Sequence, residues 1–217
     1  MYRMKTNYLF ALAFFLSGFN YLSAQENIPK HPPTQQKVEI KQFEDFGFSI
    51  GIAADWFIQD EADHLAWMDK GKKMMAGDNE KLIDRIEKAE TNISYLLTVF
   101  KYPLDSFDSY NPSMTIVAEN LNKLTEIKDT EQYLAYQKQL LEQSQPNFNI
   151  KGGFALKRIN GQRFYSLQSM IRYGGEYIHQ IYYTSIHKRQ ALSFIISYVS
   201  EEDQAELEKM LRSAIFR

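Results

Sequence analysis

Asn160-Gly161 and Gly174-Gly175 stand between runs of strand-forming residues at 154–159, 163–173 and 176–187, and this spacing constrains the chain more than any other feature. A two-residue connection with positive φ at both central positions is a type I′ turn, whose twist matches that of the flanking strands. Each pair therefore closes a β-hairpin. Another strand, 190–200, follows His187-Lys188-Arg189-Gln190, read as a longer polar turn, and a strand at 147–151 precedes the series. Strands joined by such short links pair as antiparallel neighbours.

Upstream, FEDFGFSIGIAADWFIQ opens the domain, with Phe46, Phe48, Ile50 and Ile52 at the period of a half-buried strand. NISYLLTVFKYP (92–103) and MTIVAENL (114–121) are two further strand runs, the first stopped by Pro103. Leu65 and Met68, then Leu82, Ile83 and Ile86, recur at helical spacing around Gly77-Asp78-Asn79, which predicts two helices within 61–90. Asp129 and Gln132 form a capping pair for a helix ending near Ser144, with Tyr133, Tyr136 and Leu140 on one face. Ser200 caps a closing helix whose Leu207, Met210, Leu211, Ala214 and Ile215 share one face. The expected fold class is α+β, a mainly antiparallel sheet sandwiched by helices.

The N-terminus bounds the compartment. Arg3 and Lys5 precede a short apolar run, Tyr8 to Phe19, and Leu22-Ser23-Ala24 offers a small residue before Gln25. This pattern predicts a signal peptide over 1–24 and an exported protein, periplasmic or extracellular, with no transmembrane span after cleavage. Residues 25–42 carry Pro29, Pro32 and Pro33 and read as a flexible linker, leaving 43–217 as a single domain. Removing Arg3 and Lys5 from the 25 basic residues leaves 23 against 27 acidic, a formal net charge of −4. That balance gives no electrostatic reason to expect nucleic acid or anionic lipid as the main partner. The chain has no cysteine, so a thiol nucleophile, a disulfide and a cysteine metal site are excluded.

Chemistry-bearing motifs are sparse. No G-x-S-x-G, H-E-x-x-H, phosphate-cradling loop or dinucleotide fingerprint is present, and no cofactor or metal is expected. DSFDSYN (105–111) lacks the central glycine and terminal glutamate of a calcium loop. His179 and His187 share a strand face, but eight residues place them about 26 Å apart, too far to hold one metal together. Both faces of 176–187 and 190–200 are rich in apolar and aromatic residues, which predicts strands covered on both sides. A buried Tyr or Phe removes roughly 150–250 Å² from water, about 4–6 kcal/mol gross, so packing alone accounts for the aromatic density. Three residues are candidates for binding a ligand or partner: Trp56, just past the first strand, His179 and Tyr183. For Trp56 the competing role is to anchor its loop against the sheet.

GFSIGIAADW near the domain start, the pair NISYLLTVF and MTIVAENL, the helix at 130–144 and the run INGQRFYSLQSMIRYGGEYIHQIYYTSIHKRQALSFIISYVS together resemble the PsbP-like superfamily. That superfamily includes extrinsic subunits of the plant oxygen-evolving complex, a small nuclear-import regulator that binds Ran, and bacterial envelope proteins of the DcrB type. The resemblance covers roughly 43–217 and implies an α/β/α sandwich that binds rather than catalyses. Relative to its smaller members, 61–90 resembles a helical insertion. Two functions follow as expectations: a non-enzymatic binding or accessory module of the bacterial envelope with a protein partner, or a small-ligand binder or hydrolase with a pocket between the sheet and the 61–90 helices.

Overall fold

The computed structural model describes residues 37–60, 64, 80, 83, 87, 91–103, 110–144, 148–173 and 175–217. Residues 1–24, read as a signal peptide, most of the stretch read as linker, most of the calcium-loop candidate and nearly all of 61–90, read as an insertion, lie outside the described residues. The four residues described within the insertion are helical.

Among the described residues ten strands form two antiparallel sheets. Strands β1 (Val38–Phe43), β2 (Phe48–Ala53) and β10 (Ile215–Phe216) make a small sheet in the order β1-β2-β10. Strands β3 (Phe57–Ile58), β4 (Ile93–Phe100), β5 (Ser113–Asn120), β6 (Phe148–Ile159), β7 (Gln162–Tyr173), β8 (Glu176–His187) and β9 (Gln190–Tyr198) make a seven-stranded sheet in the order β3-β4-β5-β9-β8-β7-β6. Helix α1 (Thr130–Ser144) packs on one face of the large sheet, with Tyr133, Leu134 and Leu141 against Val117, Leu167, Tyr182 and Ile195. Helix α2 (Glu201–Arg212) and the small sheet share the other face, where Leu207, Met210 and Leu211 join Phe48, Ile50, Ile116, Phe164, Phe194 and Ile196. The architecture is the expected α+β sandwich, with the layer over the second face part helix and part sheet.

Local chemistry explains most of the elements. Asp129 Oδ1 accepts from the Gln132 N–H at 2.8 Å, and Gln132 Oε1 accepts from the Lys128 N–H at 2.9 Å, so α1 starts where its capping residues place it. Ser200 Oγ accepts from the Asp203 N–H at 3.1 Å at the start of α2. Acids at 201–203 and bases at 209 and 212 complement the helix dipole. At the β6–β7 turn Asn160 and Gly161 have φ of 44° and 85°, as a type I′ turn requires.

Four expectations need correction. Residues 38–42, inside the stretch read as linker, are strand, because Val38–Phe43 finds a partner strand in β2. The two strands expected at 147–151 and 154–159 are one strand with a bulge between Lys151 and Ala155, where Gly152 has a φ of 71°. The β8–β9 connection is a two-residue turn, because His187 pairs directly with Gln190. Lys188 and Arg189 adopt positive φ of 46° and 63° without being glycine or asparagine. Finally, Ile215 does not continue the buried face of α2; it lies in β10 and is exposed.

Candidate functional site

The three candidate residues do not converge on one site. Trp56 is 7% exposed and belongs to the core between the small sheet, α2 and the large sheet. Its N–H donates to Ala53 O at 2.9 Å and closes the turn after β2. Its side chain is packed into that core and offers little surface for stacking on a ligand. Tyr183 is also buried, beneath α2, where its hydroxyl donates to Glu208 Oε1 at 3.3 Å. His179 lies four residues back along the same face of β8, half-exposed, with its ring stacked on its register partner Tyr198 at 5.5 Å and 15°.

Around His179 and Tyr183 the electrostatics favour neutral groups. Partial burial, and then the positive charge of Lys151, hold His179 below the ordinary histidine range, so the ring is uncharged at neutral pH. Burial and the nearby Glu208 push the Tyr183 phenol up, and the same two causes raise Tyr198 to about 12. Glu208 also accepts from Gln204 Nε2 at 3.0 Å and from Arg212 at 3.1 Å. Gln204 and Arg212 lie on α2 itself, so the Tyr183 bond is the one of the three that ties the helix to the sheet. These groups can donate and accept hydrogen bonds, but none is poised as an activated nucleophile.

The other face carries a buried polar layer that the sequence reading missed. Glu119 on β5 lies beneath α1, with Tyr133 Oη donating to its Oε2 at 2.6 Å and Gln137 Nε2 at 3.3 Å. Burial raises its pKa above 4.5. Farther along, Tyr182 Oη donates to Gln180 at 2.8 Å, Thr184 and Ser193 hydroxyls share a 2.8 Å bond, and the buried Tyr110 hydroxyl donates to Ser197. Alternation along each strand shows which face a residue takes, yet nothing in it shows that polar residues from three strands meet in one layer. Among the described residues there is no group of three or more His, Asp or Glu able to hold a metal.

The clearest exposed feature is the outer face of the small sheet. Val38, Ile40 and Ile215 are 52%, 59% and 59% exposed. Val38 pairs with Ala53, Ile40 with Gly51 and Ile215 with Ser49, so the three aliphatic side chains flank the smallest residues of β2 on one face. A Cβ at Gly51 would lie 2.7 Å from Val38 Cγ1 and 3.2 Å from Ser213 Oγ, so a larger residue there would displace both side chains. The Gly51 N–H donates to that hydroxyl at 2.9 Å, locking the end of α2 to β2.

Among solved structures the chain matches cyanobacterial PsbP (CyanoP) from Synechocystis sp. PCC 6803, with a TM-score of 0.51 and 9% identity, covering 88% of this chain and 98% of that one. The fold is PsbP-like. Weaker likenesses extend to PA94 of Pseudomonas aeruginosa, a protein of unknown function (TM-score 0.42, 11% identity, 83% and 97% covered). They also extend to LpqN, involved in cell envelope biogenesis of Mycobacterium tuberculosis (TM-score 0.39, 10% identity, 85% and 86% covered). No protein-family model matches the chain, and no curated protein matches it in sequence. At such identities the PsbP-like comparison carries the fold and assigns no residue a role. No helix among the described residues is long and apolar enough to cross a membrane.

Proposed function

We propose that this protein is an exported, non-enzymatic binding or accessory module of the bacterial cell envelope, which docks a protein partner on the outer face of its small sheet. The observation that carries the reading is the exposed aliphatic set Val38, Ile40 and Ile215 on that face. Monomeric soluble proteins rarely expose contiguous apolar patches larger than a few hundred Å², whereas the buried core of an interface is more apolar than the rest of the surface. The Tyr183 hydroxyl supports the same reading, because its bond to Glu208 serves to hold α2 on the sheet.

The test is native mass spectrometry of the mature protein isolated from the envelope of its own host, beside the I40D/I215D variant. Both substitutions fall on exposed positions and leave the core intact. A polypeptide in fixed ratio to the wild-type chain, absent from the variant, is the expected result. A small bound mass released on denaturation, kept by both proteins, would instead favour a ligand-binding function.

A further inference from the structure

The charge of this chain is strongly segregated. Residues 143–200 contain one acid, Glu176, and seven Lys or Arg: Lys151, Lys157, Arg158, Arg163, Arg172, Lys188 and Arg189. The whole chain nevertheless has a formal net charge of −2, so the remainder is correspondingly acidic. The net figure, which gives no reason to expect an anionic surface, averages over this division.

The fold gathers part of the excess at one end of the large sheet. Arg158 and Arg163 are direct cross-strand partners beside the β6–β7 turn. Gln162 Nε2 reaches Ser185 Oγ at 3.1 Å, which places the β8–β9 turn with Lys188 at the same end. Like charges directly opposite one another destabilise a strand pair. Here no acid relieves them: among the described residues Lys157, Arg158, Arg163 and Lys188 form no ion pair, and Arg163 makes only a long, 3.5 Å bond to the Tyr165 hydroxyl. Asp129, at the nearby start of α1, is engaged in capping that helix. Lys188 holds a φ of 46°, a conformation that costs a side-chain-bearing residue energy, and its side chain is exposed. Leu156, 48% exposed, adds an aliphatic group beside Arg158.

We propose that this end of the sheet, Leu156, Lys157, Arg158, Arg163 and Lys188, rests on the anionic phospholipid headgroups of a membrane surface. Charge complementarity selects an anionic occupant, and the form of the edge selects lipid over an added peptide strand. β6 is the edge strand, but it carries a bulge at Gly152 and exposed lysines at 151 and 157, features that block strand addition. Unpaired cations around an exposed leucine suit a fluid headgroup layer, which needs no register. The surface differs from the one proposed for the protein partner, so either assignment can fail alone.

The test is co-sedimentation of the chain from Gln25 onward, which keeps every described element, with vesicles of phosphatidylcholine alone or mixed with phosphatidylglycerol. Binding is expected only to the anionic vesicles and is expected to weaken with salt. Each cation removed costs about fivefold, so R158Q/R163Q is expected to bind roughly 30-fold more weakly. R158K/R163K, which keeps the charge, is expected to bind like the wild type. Equal binding to both vesicle types, or unchanged affinity in R158Q/R163Q, overturns the proposal. Binding to polyglutamate with none to anionic vesicles overturns it as well, in favour of an acidic protein partner.

Discussion

Glu119 is a carboxyl buried beneath α1, with two donors, Tyr133 and Gln137, on one of its oxygens. Gln137 Oε1 beside it is buried with no hydrogen-bond partner. An unsatisfied buried acceptor costs about 1–3 kcal/mol, and a protonated or amide side chain at 119 supplies the missing donor. Burial raises the Glu119 pKa, so the protonated form suits the fold better. The stability from this group is fully present below its ordinary value of 4.5 and is lost as pH rises through the raised folded value. E119Q is therefore expected to be more stable than the wild type at neutral pH by about 1 kcal/mol, a Tm gain of ~2–4 °C. The gain is expected to vanish below about pH 4. Melting curves across this range check it; a variant less stable at every pH would show that the ionised carboxylate is what the fold needs.

At the scale of the element, the β8–β9 turn divides its two residues between cost and return. Arg189 holds a positive φ, and its guanidinium donates to the carbonyls of Ile127, Leu121 and Leu124, closing the segment that leads into α1. Lys188 bears the same backbone cost with an exposed side chain. Opposite effects are expected from neighbouring substitutions. R189A loses three charge-assisted bonds and about 2–4 kcal/mol, whereas K188G relieves the turn and gains roughly 0.5–1 kcal/mol. Urea denaturation of the pair measures both, and destabilisation by K188G would mean that the lysine stem packs on the sheet. The turn was read as a longer loop because neither residue advertises positive φ; the three carbonyls that stabilise it lie more than 60 positions away.

At the scale of the whole molecule, the two ends of the described chain close one core. Phe216 of β10 packs its ring 6.1 Å from Phe48, 5.4 Å from Phe164 and 6.2 Å from Phe194. The Arg217 N–H donates to Gly47 O at 2.8 Å, and Asn160 Nδ2 binds Ala214 O at 2.6 Å. The C-terminus thereby ties the small sheet to the β6–β7 hairpin. F216A is expected to cost about 2–4 kcal/mol and to lower the urea midpoint of a single transition without changing its slope. A separate early transition would show instead that the small sheet unfolds on its own.

The sequence by itself determined what short-range physics controls. The strands of the meander, the Asn160-Gly161 turn, the capped starts of α1 and α2 and the coverage of both faces of β8 and β9 follow from turn chemistry, side-chain oxygens within three or four residues, and a period of two. Only the tertiary structure decided what depends on distant partners. It recruited Val38–Phe43 from the linker into a strand and turned Ile215 out to the surface. It buried Trp56, set Tyr133 and Gln137 on Glu119, and gathered unpaired cations at one end of the sheet. Each of these outcomes depends on pairing, packing or charge summed between residues far apart in the chain, which no local pattern records.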